Sequence, residues 1–150
     1  SGGTYQFKLT TTPDWSNALG DGGGGTLSSG GGNLTVPAGG YYHIVANTNN
    51  HTWSATATTW SVIGSFSASG WSNDINLTYN AGSNTWSGTI TAAAGDQFKF
   101  RANHDWGLNY GDTGADGSLD PGGDNINLTA GTHKIILYLT GAGYYTYTIQ

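Results

Sequence analysis

The side chains in this sequence that could do chemistry are few, and they cluster. Trp15, Trp71 and Trp106 each sit in a connection rich in Gly, Ser, Asn and Asp: PDWSN, ASGWSND and NHDWGLN. None belongs to an alternating run, so each indole is placed to act as an exposed flat surface rather than as core filling. Lys and Arg together number only four. Lys99 and Arg101 fall in QFKFRAN, where Phe98 and Phe100 point one way and Lys99, Arg101 and Asn103 point the other. Two cations and an amide therefore line one outer face and lead into the loop that holds Trp106. A flat indole beside N–H donors suits a sugar. The C–H face of a pyranose stacks on the ring by dispersion and apolar burial, and its hydroxyls accept from Lys, Arg and Asn.

Other chemistry has less support. The chain has no Cys and no Met, which removes disulfides, thiolate metal sites and a Cys nucleophile. Every one of its nine carboxylates is an Asp, most of them in turns beside Gly or Asn. Solvent keeps such groups ionised, whereas a glycosidase needs a carboxyl of raised pKa opposite a second one. No G-x-S-x-G elbow accompanies the Ser, His and Asp present. His43 and His133 lie on strands, His51 in a turn, and His104 flanks Asp105-Trp106. The chain is expected not to be an enzyme and to need no cofactor. Calcium is the alternative weighed for Asp112, Asp116, Asp120 and Asp124, but their spacing of four does not match an EF-hand loop, and a solvated Gly-Asp loop is the better reading. Charged residues make up only 9% and the net charge is −5, which leaves no electrostatic footprint for nucleic acid. No apolar run is long enough to span a membrane. A surface kept wet by Ser, Thr, Asn and Gly fits neutral ligands and an extracellular setting.

The elements that must position these residues are strands. Period-two patterning rich in Thr, Tyr, Ile and Val predicts them over 5–10, 33–36, 41–47, 52–58, 60–66, 75–79, 85–91, 97–103, 125–128, 132–140 and 144–149, with Gly, Asn, Asp and Ser between. No helical stripe competes. Many short strands with regular turns predict an all-β antiparallel sandwich. Alternation assigns Trp53 and Trp86 to the core, and Trp60 opens a strand on the face of Val62.

The chain also matches itself. QFKL at Gln6–Leu9 returns as QFKF at Gln97–Phe100, Asp14-Trp15 as Asp105-Trp106, and Gly20-Asp21 as Gly111-Asp112, an offset of 91 residues. After a one-residue shift, Asn33-Leu34 meets Asn125-Ile126, Ala38-Gly39 meets Ala130-Gly131, and Trp53 meets Tyr145. The expected organisation is a complete module over 60–150, preceded over 1–59 by the C-terminal half of a second copy. An orphan half-sandwich exposes an apolar face and unpaired edges. Its missing first half is expected from upstream residues or from a second chain.

Four stretches together resemble the starch-binding modules of surface lipoproteins in gut-bacterial starch-utilisation systems, the SusE/SusF group: WSVIGSFSASGWSND (Trp60–Asp74), NTWSGTI (Asn84–Ile90), AGDQFKFRANHDWGLNYGD (Ala94–Asp112) and GGDNINLTAGTHKIILYL (Gly122–Leu139). The resemblance covers the second module and, more weakly, the half before it. It implies tandem immunoglobulin-like sandwiches on the outer cell surface of a bacterium, without catalysis, binding α-glucan through an aromatic arc with Lys or Arg. Carried over, Trp71 and Trp106 stack, Lys99 and Arg101 bond hydroxyls, and Asn103, Asn109 and Tyr110 lie nearby. Where the family draws a basic residue from a later strand, this chain has Asn125 and Asn127. The first half keeps Lys8 and Trp15 but carries Thr10 in place of Arg101 and Leu19 in place of Tyr110, so little binding is expected there. Starch does not follow from the fold, and xylan or β-glucan remain alternatives. A structural spacer or adhesin sandwich is the reading of another class, and it predicts loop tryptophans packed inward.

Overall fold

The computed structural model describes residues 3–140 and 144–150. Every regular element among the described residues is a β-strand, and the fold is an all-β sandwich. No helix among them is long and apolar enough to cross a membrane. The chain divides into two compact units, 1–58 and 59–150.

The first unit contains β1 (Thr4–Phe7), β2 (Leu9–Thr10), β3 (Ala18–Gly23), β4 (Thr26–Ser29), β5 (Leu34–Pro37), β6 (Tyr42–Asn47) and β7 (Thr52–Ala57). β1 pairs with β5, and the others form a five-stranded sheet in the order β2-β3-β4-β7-β6. The second unit contains β8 (Trp60–Gly64), β9 (Ile75–Asn76), β10 (Thr78–Asn80), β11 (Thr85–Ala92), β12 (Gln97–Ala102), β13 (Asn109–Gly111), β14 (Ser118–Pro121), β15 (Ile126–Asn127), β16 (Gly131–Tyr138) and β17 (Tyr145–Ile149). Their order is β10-β11-β16-β17-β14-β13-β12-β8-β9, with β15 added to β12. β14 pairs with β13 on one side and β17 on the other, so it carries the ladder from one layer of the sandwich into the next.

The core of the second unit follows from the period of two. Phe100 pairs with Val62 across β12 and β8, and cross-strand partners share a face, so both enter the interior with Phe98. From the other layer come Ile135, Leu137 and Trp86, with Leu137 opposite Trp86. Tyr147 closes the two layers together, its ring 6.4 Å from Phe98 and 5.9 Å from Phe100. Burying a side chain of this size stabilises the fold by roughly 1.5–3 kcal/mol relative to leaving it exposed. Trp60 and Trp86 are buried as their alternation requires, whereas Trp53 is only half-buried and meets Phe7 edge-on at 6.0 Å.

Four strands lie where composition predicts loops: β3, β4, β13 and β14, in the Gly- and Asp-rich stretches. For β3 and β13 the reason is close backbone approach. A Cβ on Gly111 would stand 2.0 Å from the Asp124 carbonyl oxygen and 2.4 Å from that of Gly123, and one on Gly20 would stand 2.1 Å from Gly32 O and 2.4 Å from Gly31 O. The chain that crosses there bonds to the strand, with Asp112 N donating to Asp124 O at 2.9 Å and Asp21 N to Gly32 O at 2.8 Å. Glycine in these strands is an opening for a second backbone. Asp112 secures the same region from inside: it accepts from Asp116 N at 3.0 Å, Gly117 N at 3.0 Å and the Tyr147 hydroxyl at 2.8 Å. Burial and this carboxylate together push the Tyr147 phenol well above its ordinary range. Gly111→Ala is expected to destabilise the second unit by about 1–3 kcal/mol through the displaced crossing. A urea melt followed by tryptophan fluorescence measures it, and an unchanged midpoint would show that the crossing is compliant.

Candidate functional site

Arg101 leaves β12 on the outer face, as the alternation of QFKFRAN requires, but it is not held out to solvent. It is 8% exposed. A desolvated guanidinium needs a counter-charge, and Asp74 supplies it from the connection between β8 and β9. Arg101 Nε donates to Asp74 Oδ1 at 2.8 Å, and Nη2 donates to Oδ2 in a bidentate pair. Both side chains are buried. Asp74 Oδ1 also accepts from Ser61 Oγ at 2.6 Å, and Ser61 stands opposite Arg101 in the β8–β12 ladder. The guanidinium beside it holds the Asp74 carboxyl below the usual carboxylate range, overcoming the burial that would raise it.

Above this pair lie two indoles. Cζ of Arg101 sits 4.8 Å from the Trp106 ring centroid, a cation–π contact from beneath. Trp71, three residues before Asp74, lies beside Trp106 with ring centroids 6.3 Å apart and planes inclined by 33°. Trp106 is 46% exposed, and Trp71 is half-buried. Together they form a shallow bent platform rather than a closed pocket. Both loops hold it by uncommon backbone geometry. Trp71 adopts φ 58°, with its N–H donating to Gly64 O at 2.7 Å, and Asn103 and His104 adopt φ 53° and 57°. Non-glycine residues in this region cost energy, which the surrounding bonds must offset. Asn103 Oδ1 accepts from Thr59 N at 2.9 Å, Asn109 Nδ2 donates to Trp106 O at 2.7 Å, and His104 Nε2 meets Asn76 Oδ1 at 2.6 Å.

No family model matches the chain, and no curated protein does. Among solved structures it is similar to that of SusF from Bacteroides thetaiotaomicron, at 20% identity and a TM-score of 0.48, over 98% of this chain. It spans 40% of the length of that chain. The functional reading therefore stands on the site itself.

The remaining residues singled out in the sequence divide between the platform and other places. Lys99 lies two positions back along the outer face, where its ammonium donates to Gly122 O at 3.1 Å. Burial pushes that group down, against the pull of Asp124. Tyr110 does not join the platform. It pairs with Phe100, and its ring turns to the core side, against Trp60 at 5.8 Å and Tyr145 at 5.2 Å, beside a cleft of about 260 Å³ completed by Leu119 and Pro121. Asn125 and Asn127 bond to the Gln97 side chain at the opposite end of β12. In the first unit Trp15 is 76% exposed, and Lys8 repeats the Lys99 contact by donating to Gly31 O at 2.8 Å. Thr10 pairs with Ala18 where Arg101 pairs with Asn109, so no guanidinium underlies Trp15. Sequence reasoning missed Asp74. The available signal was charge arithmetic: a rare cation on a strand needs a carboxylate, and SND supplies one within three residues of a loop tryptophan.

Removing one partner of a buried ion pair strands the other. Asp74→Ala is expected to destabilise the second unit by about 3–5 kcal/mol and to loosen both tryptophan loops, measured by urea unfolding and near-ultraviolet dichroism. The pH dependence follows from the sign of the shift. A carboxyl depressed in the folded state contributes its stability above its unfolded pKa of about 4 and loses it as pH falls through the lower folded value. Stability of the native chain should therefore drop on acidification below about pH 4. Asp74→Asn should flatten that limb, and an equally steep limb in the variant would remove the pair as its cause.

Proposed function

We propose that the second unit is a non-catalytic glycan-binding module of the extracellular space or bacterial outer surface, and that Trp71 and Trp106 are its stacking platform. The single observation that carries this reading is the indole pair, Trp106 exposed and Trp71 half-buried, anchored from beneath by Arg101 and Asp74. Exposed aromatic surface is costly to maintain, and here a buried ion pair and three left-handed residues hold it in place. A tightly packed spacer would turn the same rings inward.

The planes incline by 33°, so successive sugars stacked on them would turn with the surface. A curved α-glucan follows such a bend better than a straight ribbon, which supports starch as the substrate class. Hydroxyl contacts would come from the rim. Asn103 and His104 flank Trp106 and are exposed, while Arg101 acts first as an anchor of the surface and the Lys99 ammonium donates to Gly122 O. Arg101 would thus favour binding by polarising and positioning Trp106 more than by bonding to sugar. Asp112, which lines a cleft beside Tyr147, already accepts three hydrogen bonds, an arrangement suited to structure rather than proton transfer.

Affinity electrophoresis against amylopectin, xylan, β-glucan and mannan tests the proposal. Retardation by amylopectin is expected, weakened by about tenfold or more in Trp106→Ala and in Trp71→Ala and unchanged in Trp15→Ala. Retardation by another polysaccharide, lost in the same two variants, would keep the platform and replace the substrate. Retardation by none of them would favour the structural spacer.

A further inference from the structure

We propose that His104 and Asn76 form the polar wall of the indole platform and set its specificity, reading two adjacent free hydroxyls of a neutral sugar with one acceptor and one donor. This inference rests on the glycan reading and names the groups that make the platform selective. The strand register places the first of them. Asn76 of β9 stands opposite Ser61 of β8, and Ser61 stands opposite Arg101 of β12. Cross-strand partners share a face, so Asn76 lies on the outer face, in the same row as the guanidinium beneath Trp106. It belongs to the stretch of chain that also supplies Trp71 and Asp74.

His104 reaches Asn76 from the other loop. The left-handed pair Asn103–His104, at φ 53° and 57°, opens the loop that carries Trp106. His104 Nε2 meets Asn76 Oδ1 at 2.6 Å, which ties that loop to the strand following the loop of Trp71. An amide oxygen only accepts, so Nε2 carries the hydrogen of the neutral ring. Nδ1 is then an acceptor, and Asn76 keeps Nδ2 as a donor. Both side chains are exposed. Neighbouring hydroxyls of a pyranose fit this pair: one donates to Nδ1 while the next accepts from Nδ2. An indole face holds a sugar ring without choosing among its hydroxyls, so selection falls to such polar groups.

The other polar groups near the indoles are engaged. Asn103 Oδ1 accepts from Thr59 N and Thr59 Oγ1, and the Lys99 ammonium donates to Gly122 O. The wall is also sensitive to pH, because an imidazole ordinarily takes a second proton at about pH 6.5. That proton removes the acceptor at Nδ1 and creates a cation whose desolvation opposes burial under a ligand. Three charged side chains surround the ring: Asp74 from the β8–β9 connection, Arg101 from β12, and Asp105 from its own loop. Asp74 is bonded to Arg101 and Ser61, and Asp105 accepts from Gly107 N. A charged His104 therefore adds a second cation to a site whose carboxylates are already engaged. Binding of a neutral sugar weakens on acidification through the imidazole range, well above the range in which Asp74 protonates.

The test is affinity electrophoresis of the full chain between about pH 8 and about pH 5.5, each gel run against one without polysaccharide. The polysaccharide is amylopectin or, where that does not retard the chain, whichever of xylan, β-glucan and mannan does. Binding should weaken by about threefold to tenfold from the upper to the lower pH. His104→Gln keeps a donor toward Asn76 and a neutral acceptor throughout, so it should bind like the native chain at the upper pH and lose the pH dependence. Asn76→Ala should weaken binding at every pH by about threefold or more. Nitrogen-15 spectra of the imidazoles in the native chain need neither a ligand nor a variant, and at the upper pH they should show His104 as the Nε2–H tautomer. The Nδ1–H tautomer would overturn the proposal. So would native binding that does not change with pH, or a pH dependence that persists in His104→Gln. Those results leave the platform reading intact, whereas retardation by none of the four polysaccharides at any pH would overturn both.

Discussion

The Arg101–Asp74 pair is the interaction on which the platform depends. A guanidinium that is 8% exposed on the outer face of β12 is unstable unless a carboxylate meets it there. The carboxylate comes from the same connection that carries Trp71, and the guanidinium lies under Trp106. One bidentate contact thereby ties two loops, from different parts of the chain, into a single surface. Without it the loops would share little beyond the contact of two indoles, worth about 0.5–1.5 kcal/mol. With it, Trp71 and Trp106 are held in place by the fold itself, which under the proposed function would lower the ordering cost of binding. The price of this arrangement is sensitivity to acid, because a protonated Asp74 would leave the cation buried without its partner.

The strand framework places that pair by simple periodicity. Phe98 and Phe100 fill the interior, so Lys99 and Arg101 must face out. Ser61 faces Arg101 across the ladder and bonds to the same carboxylate, which fixes Asp74 against β8. The comparison between units isolates what the cation contributes. The first unit has the Lys8 contact, the Asp-Trp dipeptide and the glycine crossing, yet Trp15 stands 76% exposed, and Thr10 holds the ladder position that Arg101 holds in the second. The scaffold is common to both units. The supported indole is particular to the second.

The sheet faces were legible in the sequence because period-two alternation reports burial directly. Trp60, Trp86, Phe98 and Phe100 all lie where their patterns put them. β3 and β13, with their partners β4 and β14, were not legible, because Gly20 and Gly111 make room for a backbone crossing within the same unit, Gly31–Gly32 and Gly123–Asp124, rather than for side-chain packing; composition reads such residues as turns. The loop tryptophans were visible as aromatics without a strand. Their neighbours were harder to place. Tyr110 looks like a platform residue in GLNYGD, but its pairing with Phe100 commits its ring to the core side. Asp74 looks like one more turn carboxylate, and only the three-dimensional meeting of β8 and β12 shows that it neutralises Arg101. Side-chain partners separated by 27 residues carry no local signature.

The edges of the two units follow different physical solutions to one problem. An exposed strand edge invites pairing unless it is short, charged, bent or covered. The second unit ends its ladder on β9 and β10, of two and three residues, too short to template another chain. The first unit ends on β6, of six residues, uncharged and bearing Ile44 and Val45 in solvent. The same sequence register that buries Ile136 and Leu137 under β11 leaves these two uncovered.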